Sequence, residues 1–152
     1  MRQDDEQSHR TDKTLLPRIR RQTLGETDWH RKAIIRLIEL LEDYFSGQMV
    51  YVTGDMLLYY EQGNPKEFVV PDVFVVKGLA QRKRRILRTW IERKVPNCVI
   101  EVTSRKTRKK DAITKPELYA RLGIAEYFLF DPDLDYLDCR CKAIDWSARR
   151  IR

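Results

Sequence analysis

The stretch VVPDVFVV, residues 69–76, decides the fold, because it sets a single carboxylate, Asp72, among seven apolar residues. A short apolar run that is rich in β-branched residues predicts a buried β-strand. A buried carboxylate without a partner is costly, or it takes up a proton. Asp72 therefore needs a partner, and the candidates are a backbone N–H group, a basic side chain and a metal ion.

A second carboxylate, Glu101, interrupts the apolar stretch CVIEVTS (98–104) in the same way. The two strands could be neighbours in one sheet, where adjacent carboxylates repel each other and raise a pKa. A hard divalent cation between them removes that cost, and Mg²⁺ typically binds one or two carboxylates together with water and phosphate oxygens. The pattern therefore indicates a Mg²⁺ or Mn²⁺ site with Asp72 and Glu101 as ligands. The alternative is that each acid caps a turn or pairs with a nearby arginine.

The segments around these carboxylates predict a mixed sheet with helices against it. The apolar residues of 28–45 lie on one helical face, and 114–122 predicts a second helix with Pro116 in its first turn. Five strands are predicted, at residues 49–53, 55–60, 68–76, 98–104 and 125–131. The order helix, three strands, strand, helix, strand is typical of an α/β or α+β fold.

The length and composition predict a single-domain protein of the cytoplasm. We expect a flexible arm at residues 1–24, the domain at 25–142 and a basic tail at 143–152. No apolar stretch approaches the ~20 residues of a membrane span, so no membrane association is expected. The first ten residues lack the apolar region of a secretory signal, and three cysteines do not form a disulfide framework. A reducing cytoplasm is the compartment that fits these features.

The positive charge of the chain is concentrated between the two anomalous carboxylates and just beyond them. The formal net charge is +7, but residues 77–110 carry thirteen Lys or Arg against two acids, a local charge of +11. A localised basic field is typical of a surface that binds a polyanion, and the alternative is a solvated charged face. We expect nucleic acid to bind here. The expected contact residues are Arg82, Lys83, Arg84, Arg85, Arg105, Lys106 and Arg108.

Five segments in order resemble the Uma family of putative restriction endonucleases, a branch of the PD-(D/E)xK nuclease superfamily. They are ETDWH (26–30), GDMLLYY (54–60), VVPDVFVVKG (69–78), VIEVTSRKTRKKD (99–111) and KPELYARLGIAEYFLFDP (115–132). No single segment is decisive, but five in this order over much of the chain are specific. The resemblance implies a restriction-endonuclease-like core, a divalent metal ion and DNA as the substrate.

The resemblance also implies which residues are catalytic. Asp72 corresponds to the metal-binding Asp of the signature and Glu101 to its (D/E) position. The signature lysine should be residue 103, which is a threonine in this chain. In this family a helix lysine four positions before the tyrosine of ELYARLG is the usual candidate, and here that is Lys115. The alternative for Lys115 is a solvated lysine in a first helical turn.

Two residues near the start of the first helix extend this candidate site. Glu26 resembles the acidic residue that many of these nucleases carry on their first helix, so it is either a third metal ligand or a helix-start carboxylate. His30 lies four residues later and could reach the same side of the helix, or it is structural.

The end of the chain departs from the family. Members usually continue beyond FLFDP with more β-structure, whereas here DLDYLDCRCKAIDWSARRIR turns basic. We therefore expect a shortened C-terminal part, with an open sheet edge or a homodimer contact. The main interpretation is a Mg²⁺-dependent DNA endonuclease. A catalytically inactive nucleic-acid-binding module and a structural domain that binds a partner stay open as alternatives.

Overall fold

The structure of the protein, a computed structural model, describes residues 28–134 and 137–144. The predicted arm at 1–24, the candidate ligand Glu26 and residues 145–152 of the predicted tail lie outside the described residues. No helix in the described ranges has the length and apolar character that crossing a membrane requires.

Helices and strands alternate along the described chain. The helices are α1 (Asp28–Tyr44), α2 (Thr89–Glu92) and α3 (Lys115–Arg121), and a π-helical turn (Lys110–Thr114) leads directly into α3. The strands are β1 (Val50–Thr53), β2 (Leu58–Tyr59), β3 (Phe68–Val69), β4 (Val73–Lys77), β5 (Leu87–Arg88), β6 (Cys98–Val102), β7 (Glu126–Phe130) and β8 (Cys141–Ala143). The predicted mixed α and β class is confirmed.

A five-stranded sheet in the order β1-β4-β6-β7-β8 forms the centre of the fold. Strand β4 is antiparallel to β1 and β6, β6 is parallel to β7, and β8 is antiparallel to β7. One face packs against α1 and contains Val73 of β4, while Phe74 lies in the opposite cluster with Tyr119 of α3. Because β4 is buried on both faces, its sequence is a continuous apolar run instead of an alternating one.

The predicted strand 68–76 is in fact two strands in two sheets. Its first part, β3, joins β2 and β5 in a small three-stranded sheet, and its second part, β4, lies in the central sheet. Pro71 lies between them, and proline cannot donate to a strand ladder. Gly54 also approaches closely here, because a Cβ atom at Gly54 would lie 1.9 Å from the carbonyl oxygen of Asp72. The break therefore places Asp72 at the start of β4, held by neighbouring backbone.

Two further regions differ from the sequence-based prediction. The basic segment after β4 contains β5 and α2, which were not predicted. The expected open edge beside β7 is covered by β8, whose three residues are all exposed and carry no apolar pattern. Strand β8 also crosses the predicted boundary between domain and tail at 142–143.

Candidate active site

Asp72 and Glu101 lie side by side at the junction of β4 and β6. The antiparallel register pairs Val73 with Ile100. Asp72 precedes Val73 and Glu101 follows Ile100, so these two residues lie opposite each other. The N–H of Asp72 donates to Oε2 of Glu101 at 3.4 Å, and the N–H of Val102 donates to Oδ2 of Asp72 at 2.8 Å. The adjacency that the sequence predicted for the two carboxylates is thus present.

Burial makes both carboxyl groups hard to ionise. The Glu101 side chain is fully buried, and 21% of the Asp72 side chain is exposed. Desolvation raises the pKa of Glu101 to about 8, against the attraction of the Lys115 ammonium and with a further contribution from Asp72. Desolvation likewise raises the pKa of Asp72 to about 6. Both groups would release their protons more readily beside an added positive charge.

Lys115, the first residue of α3, brings a cation to this pair. Its Nζ lies 2.8 Å from Oε2 of Glu101 and 3.0 Å from Oδ1 of Asp111. Burial by itself would lower the pKa of Lys115, but the carboxylates of Glu101, Asp111 and Asp72 outweigh it and raise that pKa above its ordinary value. Lys115 is therefore not a solvated first-turn lysine but a charged group within the carboxylate cluster.

Tyr119 and Asp111 complete the cluster, and sequence reasoning gave neither of them this role. The hydroxyl of Tyr119 donates to Oε1 of Glu101 at 2.6 Å. Asp111 is 1% exposed. Its Oδ1 lies within ion-pair distance of Lys115, although the angles there are not those of a hydrogen bond. Asp111, Lys115 and Tyr119 follow one another at intervals of four, a spacing that places residues on one helical face and could have been noticed.

The remaining candidates near the carboxylates are placed as follows. Nε2 of His30, from α1, lies 3.8 Å from Oδ2 of Asp72, so His30 is beside the candidate site. Thr103, at the signature lysine position, is 2% exposed, and its N–H donates to the carbonyl oxygen of Phe130 at 2.8 Å. Glu26 cannot be placed, because it lies outside the described residues.

The seven predicted nucleic-acid contacts divide into two groups. Arg84 is 6% exposed, its Nε donates to Glu92 at 2.8 Å, and its guanidinium lies 4.3 Å from the centre of the Tyr51 ring. Arg84 is therefore occupied within the fold, and we remove it from the predicted contact residues. The other six are exposed and form what we call the basic surface: Arg82, Lys83, Arg85, Arg105, Lys106 and Arg108.

The donor set fits a hard divalent cation. In the described ranges no group of three or more His, Cys, Asp or Glu side chains is arranged to hold a metal ion. Mg²⁺, however, needs only one or two carboxylates, and Asp72 and Glu101 supply hard oxygen donors. When ionised, the carboxylates of these two residues and Asp111, together with the Lys115 ammonium, leave two negative charges, which one divalent cation neutralises.

Comparisons with known proteins agree with this architecture. The family model Uma2, described as "Putative restriction endonuclease", matches residues 20–145. The chain is similar in structure to a putative nuclease belonging to DUF820 from Anabaena variabilis ATCC 29413, with a TM-score of 0.52 and 15% sequence identity. That likeness covers 80% of this chain and 70% of the other, and at this identity it establishes the fold alone. No curated protein matches the chain.

The match to the family model includes the carboxylate cluster. It spans α1, the whole central sheet and α3, and therefore contains Asp72, Glu101 and Lys115. Such a match supports a nuclease function in general. The chain belongs to the Uma2 family of putative restriction endonucleases.

Proposed function

We propose that the protein is a divalent-metal-dependent endonuclease that hydrolyses phosphodiester bonds in DNA, with Asp72, Glu101 and Lys115 at its active centre. One observation carries the proposal: Nζ of Lys115 lies 2.8 Å from a buried Glu101 carboxylate that also accepts from the N–H of Asp72. A structural ion pair needs one acid and one base. Here the single ammonium is surrounded by more acid than it can neutralise, which favours a site that takes a further cation.

Asp72 and Glu101 are the residues that would hold Mg²⁺ or Mn²⁺. An ion bound there supplies neutralisation of the phosphodiester charge and a lowered pKa for water. The raised pKa values of both carboxyl groups support this assignment, because burial, their main cause, removes the water that would stabilise the charged carboxylates, and a bound cation would replace that stabilisation. Of the two, Asp72 is the more accessible, with a fifth of its side chain exposed.

Lys115 supplies a fixed cation in this arrangement. In the hydrolysis water adds to phosphorus, one P–O bond breaks, and the departing sugar oxygen takes up a proton. Negative charge increases on the oxygens around phosphorus as this happens, and a preorganised ammonium stabilises it. Thr103 occupies the signature lysine position and cannot carry charge, so we assign this role to Lys115, which arrives from α3 instead of β6.

Part of the basic surface follows Glu101 closely along the chain. Arg105, Lys106 and Arg108 are exposed in the segment that runs from the end of β6 to the π-helical turn. That segment connects Glu101 to Lys115 along the chain. Cations in such a position attract phosphates without reading base sequence, so they favour binding that weakens as salt rises.

The test is a cleavage assay on supercoiled plasmid and on single-stranded DNA, with Mg²⁺ or Mn²⁺ and with a chelator. Cleavage by the parent protein should require the metal ion and should be lost in Asp72→Ala. Glu39→Ala is the matched control, because Glu39 is an exposed carboxylate of α1 whose partner Arg36 is 3.7 Å away. DNA binding without cleavage under any metal condition would support the inactive binding module, which Thr103 at the signature lysine position favours. Absence of both would support a structural domain.

A further inference from the structure

Asp111 is a buried carboxylate to which neither the signature nor the proposed metal site gives a role. It lies in the π-helical turn, it is 1% exposed, and its Oδ1 is 3.0 Å from Nζ of Lys115. Burying a carboxylate is costly, so its retention beside a second acid, Glu101, requires a reason.

We propose that Asp111 is a positioning residue that holds the Lys115 ammonium against Glu101, ready for the phosphate. The inference rests on the proposed function, because it assigns Asp111 to the same active centre. It adds a residue that acts through Lys115 and does not itself contact the substrate.

The backbone of Asp111 is fixed to the sheet that carries Glu101. The hydroxyl of Tyr127 donates to the carbonyl oxygen of Asp111 at 2.6 Å, and the N–H of Asp111 donates to the carbonyl oxygen of Thr107 at 3.0 Å. Tyr127 is in β7 and pairs with Val99 of β6, two residues before Glu101. Asp111 thus stands at a set distance from Glu101, and a lysine between the two acids has little freedom to move.

Lysine needs such support more than most residues. Its long side chain has many rotamers, and confining it to one position costs conformational entropy. A single carboxylate partner leaves the ammonium free to swing about that contact, whereas carboxylates at 2.8 and 3.0 Å restrict it from two sides. A π-helical turn is a rare element that is often found at functional sites, and here it directly precedes Lys115.

The Asp111 carboxylate is directed at the Lys115 ammonium through one of its oxygens. Its Oδ1 is buried and accepts no hydrogen bond, although it lies close to Nζ of Lys115. The ion pair with Lys115 is therefore the polar contact that this oxygen makes.

The first test measures the order of the lysine side chain and does not depend on cleavage. In protein labelled with [¹⁵N]lysine, the ammonium signal of Lys115 should be visible because the group is held and exchanges slowly, and its absence in Lys115→Ala identifies it. Asp111→Asn, of nearly the same shape, should lose this signal. Asp131→Asn should keep it, because Asp131 is equally buried at 1% exposed but accepts from the N–H of Leu137. An unchanged signal in folded Asp111→Asn overturns the proposal.

The second test measures cleavage kinetics in two backgrounds. In the parent protein Asp111→Asn should lower kcat by about 10- to 100-fold with KM within about twofold. In Lys115→Ala the same substitution should change kcat by less than about twofold, because a residue that acts through the lysine has no effect without it. Equal losses in both backgrounds would assign Asp111 a merely structural role.

Tyr127→Phe is the second variant in case Asp111→Asn does not fold. It removes the hydroxyl that fixes the Asp111 carbonyl oxygen and leaves every carboxylate in place, so the Lys115 signal should weaken without vanishing. A signal identical to that of the parent overturns the proposal by this route. If the parent protein does not cleave DNA, the proposed function fails, while the lysine signal still decides whether Asp111 orders Lys115.

Discussion

Two largely buried ion pairs of this protein have the same length but differ in the charges around them. Lys115 and Glu101 are 2.8 Å apart, as are Arg84 and Glu92. The Arg84 guanidinium also donates to the carbonyl oxygen of Ala80. A second cation, Arg82, lies 3.8 Å from the same Glu92, whereas Lys115 is approached by a second and a third carboxylate.

The difference between the pairs lies in the charge that remains after pairing. Glu92 is matched by Arg84 and also lies near a second cation, Arg82, so no negative charge is left over there. Around Lys115 the acids outnumber the bases, and the pKa of Glu101 rises to about 8, because of its burial above all. An equal distance therefore does not mean an equal role. The first pair stabilises the fold, and the second leaves a negative site that a divalent cation or a substrate complex can complete.

Arg84→Ala should produce the largest change, and the change should be in stability. Arg84→Ala leaves the largely buried Glu92 carboxylate with the more distant and exposed Arg82 as its cation, so the free energy of unfolding should fall by about 3 kcal/mol in urea titrations. Arg82→Ala is the matched control, because Arg82 is 68% exposed and 3.8 Å from the same Glu92, and it should cost less than about 1 kcal/mol. Cleavage per folded molecule should match the parent in both variants. If folded Arg84→Ala lost cleavage, the Arg84–Glu92 pair could not be assigned a purely structural role.

Lys115→Ala should lower the rate of DNA cleavage. Cleavage should slow by about 10²–10³, the effect of removing one contact to transition-state charge, while DNA affinity and stabilisation by Mg²⁺ stay nearly unchanged. Single-turnover cleavage and a binding titration on the same DNA separate these quantities. Adding Thr103→Lys to this variant should restore part of the rate by returning the cation along β6. If Lys115→Ala cuts DNA at the parent rate, the role passes to Lys106 or to no lysine at all.

Mg²⁺ or Mn²⁺ should stabilise the protein through the carboxylate cluster. At an ion concentration of ~100 Kd the expected gain is ~2.7 kcal/mol, measured as a rise in melting temperature. Asp72→Asn removes one ligand charge at almost constant shape and should show a much smaller rise. Glu92→Gln, in the balanced pair, should keep the full response to the ion. Equal stabilisation of the parent and Asp72→Asn would mean that the ion binds elsewhere.

The stability of the protein should also depend on pH through these two carboxyl groups. The pKa values of Asp72 and Glu101 are raised to about 6 and about 8, so the folded state holds their protons more tightly than the unfolded state does. In chelator, their contribution should be fully present below about pH 4 and should be lost as pH rises to about 8, by at most ~1.4 kcal/mol per pH unit for each group. Saturating Mg²⁺ should flatten this decline. If the melting temperatures of the parent and of Glu101→Gln change equally with pH over this range, the assignment is contradicted.

The parts of the site that could be predicted from sequence are the ones that violate a local pattern. Asp72 and Glu101 are ionisable groups within apolar strands, and that conflict is visible without any tertiary information. The family resemblance directed attention to Lys115, and the structure places it beside them. Neither the strand pattern nor the resemblance identified Asp111, because an acid that follows a run of basic residues is typical of a charged loop.

The basic segment illustrates the limit of a charge count. Arg82, Arg84 and Arg85 are alike in sequence, yet Arg84 alone of the three is buried. Its burial depends on Glu92, eight residues later, and on Tyr51, from strand β1. Composition predicts how many cations a segment carries but not which of them face solvent.

The sequence by itself determined the class of fold, the positions of the main helix and strands, and the two carboxylates that need a partner, because these follow from periodicity and from the cost of burying charge. Only the tertiary structure decided that Pro71 divides one predicted strand between two sheets, that β8 covers the edge of β7, and that Asp111 and Tyr119 join Glu101. These outcomes depend on contacts between segments far apart in the chain. The register of β4 against β6 and the packing of α3 on the sheet create those contacts, and no local pattern encodes either.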